Sequence, residues 1–280
     1  VLSEFIRFLL EREIEFSVFR PYHEEWAAHT DFKHLANLTN KTYDSPQEIA
    51  GADYLYCMGG DGTILEAARF VRAAPLLLVG VNMGRLGFLT SVPQEELVER
   101  TLDLQAGAWK EDPRTVLTVH ANKGELFGRS PLGINEVSLH KMYGNEMIII
   151  HTYVNGEFMN SYWADGLIIA TPTGSTAYNL ACGGPIIAPQ SGTLVITPIA
   201  PHSLTVRPVV LPDFSVITLA VESRARKSMI AIDNQSFIVE NDIEIAVTKT
   251  DYQIKLVRFG ARGYFSTLRN RLNWGVDTRN

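Results

Sequence analysis

Cysteine is nearly absent. Only Cys57 and Cys182 occur in 280 residues, each in an apolar or glycine-rich stretch, and this excludes a disulfide framework and a cysteine-based zinc site. Such usage fits a reducing cytosol, so a cytoplasmic protein is expected. Positive charge is not in excess either. The formal net charge of −6 argues against nucleic acid or an anionic membrane as a partner and leaves a small molecule as the default ligand. No run approaches the roughly 18 uninterrupted apolar residues of a membrane span, and no basic stretch followed by an apolar core opens the chain. A soluble, unprocessed chain is the expectation. The histidines form no cluster with metal-ligand spacing, so no side chain is assigned to a metal. Walker A, Gly-x-Gly-x-x-Gly and Gly-x-Ser-x-Gly patterns are all missing, which removes three common nucleotide-binding and hydrolase solutions.

What is present divides in two. With 46% hydrophobic and 20% charged residues the chain can build two modest cores. Leu2, Phe5, Ile6, Leu9 and Leu10 recur at helical spacing, followed by an alternating run Ile14, Phe16, Val18 that predicts a strand. A β-α-β unit would place a strand before that first helix, so further N-terminal residues are expected to precede this sequence. Residues 1–110 alternate helical and short apolar segments, predicting an α/β domain with an open, mostly parallel sheet. Strands are expected at Tyr54 to Met58 and Pro75 to Asn82, with a helix between them whose apolar face carries Ile64, Leu65, Ala67, Ala68, Phe70 and Val71, and another helix over Gln94 to Leu104. After Pro113 the pattern turns to short β-rich runs, and residues 111–255 read as an all-β domain. Its strands are expected at Val116 to His120, Met147 to Val154, Leu167 to Thr171, Thr193 to Thr197, Val216 to Val221, Met229 to Ile232 and Ile243 to Val247, with Asn155-Gly156 as a hairpin turn. Residues 256–280 contain a helical pattern from Tyr264 to Trp274 that is expected to return to the first domain.

Two clusters carry chemistry. The first is strand, Gly59-Gly60-Asp61-Gly62-Thr63, helix: glycines allow close approach, and amides at a helix N-terminus attract phosphate. Asp61 reads either as an N-cap for that helix or as a general base, or Mg²⁺-associated carboxylate, beside a phosphate chain. The second runs from Asp165 to Asn179, where the apolar strand Leu167 to Ala170 meets Thr171-Pro172-Thr173-Gly174-Ser175-Thr176. Its hydroxyls and amides sit at a sheet end where a ligand can meet them, and a plain Ser/Thr-rich turn reads equally well.

These segments, with Asn82-x-Gly84-x-Leu86-Gly87-Phe88, Asn135-Glu136-Val137, Gly183-Gly184-Pro185, Pro201-His202-Ser203-Leu204, Arg207-Pro208 and Tyr264-Phe265-Ser266-Thr267-Leu268, resemble the NAD kinase family over roughly residues 50–275. The resemblance implies the two-domain fold above, ATP as donor with Mg²⁺ or another divalent cation, NAD as acceptor, and a homotetramer or homodimer. It implies that Asp61 is the catalytic aspartate, that Gly62 holds phosphate through its amide, and that Phe88 packs on the ligand. Asn135 and Glu136 would grip the adenosine part of NAD, while Asp165, Thr173, Thr176, Ala177, Tyr178 and Asn179 would line the dinucleotide site. Gln235 matches the end of the family's Asp-Gly-Gln, with Asn234 here in place of the glycine and able to take a left-handed conformation. Trp163 stands where relatives can carry an arginine and Ala181 where a serine is common, departures that bear on contacts to phosphate and ribose. A lipid kinase shares the glycine-rich turn, but should lack Asn135-Glu136 and the Asp165 to Pro185 stretch. A non-catalytic NAD-binding module is the reading from a different class.

Overall fold

The computed structural model describes residues 1–39, 41–84, 87–123, 131–142, 146–260 and 263–273. The chain forms two compact units, one of Val1–Asp112 with Lys255–Asn280, the other of Pro113–Ile254.

In the first unit the helix Leu2–Glu11 buries Phe5, Ile6 and Leu9, the spacing of one helical face. The strand expected from Ile14 is not there: only Val18–Phe19 is extended, pairing in parallel with Thr42–Tyr43. The cause is a helix cap. Glu13 is left-handed (φ 55°), its amide donates to the Leu10 carbonyl at 3.1 Å, and the Ile14 amide donates to Leu9 at 2.9 Å. Ile14 is thus the apolar residue of a Schellman cap, and its alternation with Phe16 reflects packing on the core rather than pleating.

Strand Tyr54–Gly59 pairs in parallel with Leu77–Asn82, and the helix Asp61–Val71 connects them, burying Ile64, Leu65, Ala68 and Val71. On its other flank Leu77–Asn82 pairs in parallel with the late residues Lys255 and Leu256, and near its end with Val92–Pro93. The two principal strands therefore finish at the same sheet edge, each running into one of the sequence motifs, the position where open α/β sheets present ligand sites. The helix Leu97–Gln105 follows a single 3₁₀ turn, and the helix Tyr264–Leu272 closes the unit with Leu268 buried. Leu86 of the second motif and Trp274 lie outside the described residues.

The second unit is β-rich. A six-stranded antiparallel sheet runs Val209–Pro212, Thr193–Ile199, Gly166–Ala170, Glu136–Lys141, Lys227–Ile232, Gln235–Glu240. Strands Glu157–Ala164, Ile148–Val154 and Ile217–Glu222 pair antiparallel in that order, and Ile217–Ala220 pairs with the beginning of Glu244–Phe259. The Asn155-Gly156 turn forms as expected, both residues having positive φ. Alternate residues Ile148, Ile150 and Thr152, with Ile217 and Leu219, are buried, the period of strands with one face in a core. Gly166–Ala170 is different. Leu167 and Ile169 enter the main core with Leu139, Ile150 and Ile230, whereas Ile168 and Ala170 pack on the opposite face with Ile187, Val195 and Ile199. That second face is covered in part by Ile187, from the stretch that follows the Thr171 to Asn179 motif.

Candidate active site

In the first unit the Gly59 to Thr63 turn leads into a helix whose N-cap is Gly60, without a side-chain cap. The N-cap reading of Asp61 therefore fails. Its carboxylate instead accepts three backbone amides from a distant loop: Phe88 at 2.8 Å on Oδ2, and Leu89 at 3.0 Å and Thr90 at 3.3 Å on Oδ1. Gly87 makes this possible, since a Cβ there would lie 1.8 Å from Asp61 Oδ1. The Gly87 amide is tied to the buried Thr90 hydroxyl at 3.0 Å. Arg258 donates to the Phe88 carbonyl at 2.9 Å and pairs with Asp112 at 2.6 Å, and the Arg271 guanidinium lies 5.6 Å from the centroid of the half-buried Phe88 ring. Gly62 is exposed one residue into the helix, where amide groups lack intrahelical partners.

In the second unit, pairing of Glu136–Lys141 with Gly166–Ala170 places Glu136 opposite Ala170 and brings the Asn135 and Asp165 motifs into one sheet. A tight approach joins them further: the Thr171 amide donates to the Asn135 carbonyl at 2.9 Å, and a Cβ on Gly174 would stand 2.0 Å from that oxygen. Thr173 is buried and accepts from Arg114 at 3.1 Å; Thr176 is half-buried, its hydroxyl 3.3 Å from the Thr173 carbonyl. Ala177 precedes the short helix Tyr178–Ala181, in which Tyr178 is exposed and stacks on His140 at 5.9 Å, and Ala181 is exposed. Asn179 is wholly buried. Its amide donates to Ser175 and Pro185 carbonyls at 3.0 and 3.2 Å and accepts from Thr197 at 2.6 Å, so the side chain braces the turn. Asp165 pairs with Lys141 at 2.6 Å. Trp163 is exposed, 6.1 Å from the His202 ring.

Glu136 is only 9% exposed and its Oε2 has no hydrogen-bond partner among the described residues. Burial first, and the nearby Asp233 carboxylate second, push its carboxyl up to about 8, so at neutral pH it is chiefly a neutral acid. Gln235 is exposed at the start of its strand. The left-handed residue of this hairpin is Asp233 (φ 50°) and not Asn234, a correction to the sequence reading; one positive φ at the first of two loop residues matches a type II′ turn. The sequence reading gave no role to Asp233, Arg258, Arg271 or Lys141. Asp233 could have been noticed as the acid of the Asp-Asn-Gln turn, but the cations carry no local signal. Among the described residues no group of three or more His, Cys, Asp or Glu side chains could hold a metal ion, and no helix is long and apolar enough to cross a membrane.

Comparison with known proteins bears on both halves. Residues 1–105 match the family described as ATP-NAD kinase N-terminal domain and residues 134–259 the ATP-NAD kinase C-terminal domain. An NAD kinase of Cytophaga hutchinsonii is 43% identical over 246 residues, 88% of this chain and 82% of that one. An NAD kinase of Christiangramia forsetii is 36% identical over 287 residues, covering 100% of this chain and 94% of the relative. Among solved structures, yeast NADH kinase complexed with NADH is similar with a TM-score of 0.84 and 27% identity, over 99% of this chain and 84% of that one. An NAD kinase from Archaeoglobus fulgidus in complex with ATP has a TM-score of 0.67 and 26% identity, over 83% and 88%.

Proposed function

The chain belongs to the ATP-NAD kinase family, and from that premise we infer that it transfers the terminal phosphoryl group of ATP to the 2′-hydroxyl of the adenosine ribose of NAD, giving NADP. The observation that carries the chemistry is the Asp61 carboxylate, held by three amides at the head of a glycine-rich helix turn. A carboxylate offers about four lone-pair positions, so one stays available to take the proton of a ribose hydroxyl. Phosphoryl transfer has a loose transition state, and a rigidly fixed proton acceptor suits it, since placement matters most. Gly62 would meet phosphate through its amide and Phe88 would pack on the ligand.

Asn135 and the neutral Glu136 would hold the adenosine portion of NAD, Glu136 donating its acid proton to a ribose oxygen. Asp165, Thr173, Thr176, Ala177, Tyr178, Asn179, Ala181 and Gln235 would shape the rest of the dinucleotide site, Asn179 by bracing its turn. Trp163 offers an apolar face where a phosphate-pairing arginine could otherwise stand. Mg²⁺ or another divalent cation would arrive on the ATP phosphates as part of the donor, supplying charge neutralisation. A homodimer or homotetramer is the assembly expected of it, which light scattering would measure. We place the protein in the cytoplasm, where NAD and ATP are both at hand.

The test is NADP formation from NAD, ATP and Mg²⁺ by wild type and Asp61→Asn. NADP from the wild type, falling by about two to four orders of magnitude in the variant, supports activity and base together. Folded wild type that binds NAD yet forms no NADP would sink the kinase reading in favour of a regulatory NAD-binding module.

A further inference from the structure

The loop between strands Lys227–Ile232 and Gln235–Glu240 is tied to the Asn135-Glu136 turn from two directions. The Asp233 carboxylate accepts the amides of Ile134 at 2.9 Å, Asn135 at 2.9 Å and Glu136 at 3.1 Å, while the Asp233 amide donates to the Glu136 carbonyl at 3.0 Å. Its left-handed backbone (φ 50°) is what lets main chain and side chain of one residue face the same turn. Resting on the NAD kinase reading above, we propose that Asp233 is a positioning residue for NAD: by gathering three consecutive amides it sets the direction of the Asn135 and Glu136 side chains and places a negative charge beside the Glu136 carboxyl. The Glu136 Oε2, buried and without a partner among the described residues, is then left for the ligand.

The charge has its own effect. Glu136 is packed against the hairpin carrying Asp233 and interacts with Tyr178 of the short helix and with Cys182 just after it, both of which are neutral at physiological pH. Among the described residues Asp233 is the anion that acts on it, and it favours the protonated acid that donates a hydrogen bond. Asp233 thus works on geometry and on protonation at once.

The experiment is calorimetric titration of the full chain with NAD, without ATP, from pH 6 to pH 9, comparing wild type with Asp233→Asn. Asparagine tolerates positive φ, so the substitution changes the charge and the acceptors and spares the turn. NAD affinity should fall by about tenfold or more at pH 6, corresponding to the loss of one charge-assisted hydrogen bond or more. Wild-type affinity should decline as pH rises through about 8, and the variant should decline at a lower pH. A role confined to holding the fold would leave that midpoint unmoved. A folded variant with wild-type affinity, or with an unshifted midpoint, overturns the proposal. If Asp233→Asn does not fold, Asp233→Glu serves: it keeps the charge and should weaken NAD while preserving the midpoint, and unchanged affinity there overturns the proposal equally. Wild type that binds NAD but yields no NADP refutes the kinase reading alone, whereas absence of NAD binding refutes both.

Discussion

Replacing Gly87 by alanine should cost moderate stability and much activity. The new Cβ would stand 1.8 Å from Asp61 Oδ1, 2.6 Å from its Cγ and 2.7 Å from the Thr90 hydroxyl. Side-chain atoms can move aside, so the clash is relieved by swinging Asp61 out of the loop rather than by distorting backbone. Relief breaks the bonds from Leu89 and Thr90 at 3.0 and 3.3 Å, the second of them long. Hydrogen bonds to a charged group are worth about 1.5–3 kcal/mol each, and water can reach the half-buried carboxylate in the new position, so a net loss of about 2 kcal/mol is expected. For a unit of this size that lowers the melting temperature by roughly 4–8 °C. The displaced carboxylate is the proposed base, and misplacement by about 1 Å costs on the order of 100-fold in rate. A coupled NADP assay should therefore show kcat down about 100-fold with KM for NAD changed less than about threefold, because the residues proposed to grip NAD are untouched. A folded Gly87→Ala protein with kcat within a factor of about three of wild type would refute the claim that the loop amides set the position of Asp61.

Three further outcomes follow from the second unit. Thr152 is fully buried with a hydroxyl lacking a partner among the described residues, so Thr152→Val, nearly the same shape, should raise stability by about 1 kcal/mol in denaturant unfolding; a loss would show that the hydroxyl is satisfied. Asn179→Ala abandons two carbonyls and the Thr197 hydroxyl in the interior, and should destabilise by about 2–4 kcal/mol, read in the same titration. The raised pKa of Glu136 makes its stability contribution fully present below the ordinary carboxylate range and lost as pH rises through about 8. Glu136→Gln, neutral at every pH, should therefore gain in melting temperature relative to wild type between pH 5 and pH 8; a difference that stays constant would contradict a buried neutral acid.

Local pattern and long-range chemistry were unequally visible in the sequence. The helix after Gly59 to Thr63 was legible because its apolar face repeats within eight residues, and the Asn155-Gly156 hairpin because its turn residues state their own conformation. The strand Glu136–Lys141, central in its sheet, was not anticipated: Glu136, Ser138 and His140 break the apolar run, and the bond between the Ser138 hydroxyl and the His140 ring is not readable from the sequence. Asp61 was legible as important, but not its partners, which lie 27 to 29 residues away. Asp233 reaches 97 to 99 residues to its amides, beyond any periodicity. The misplaced strand at Ile14 shows the converse, a two-residue alternation produced by a helix cap.

The first unit draws on two stretches of chain separated by residues 113–254, and Lys255 and Leu256 complete the flank of Leu77 and Leu78. On a ribosome adding about 5–20 residues per second, those partners emerge roughly 7–28 s after the first stretch is finished. During that interval the nascent Leu77–Asn82 strand has an unoccupied hydrogen-bonding edge, the kind of surface that invites pairing with other chains. The second unit can close first although it is encoded later, and the unit that carries Asp61 matures last.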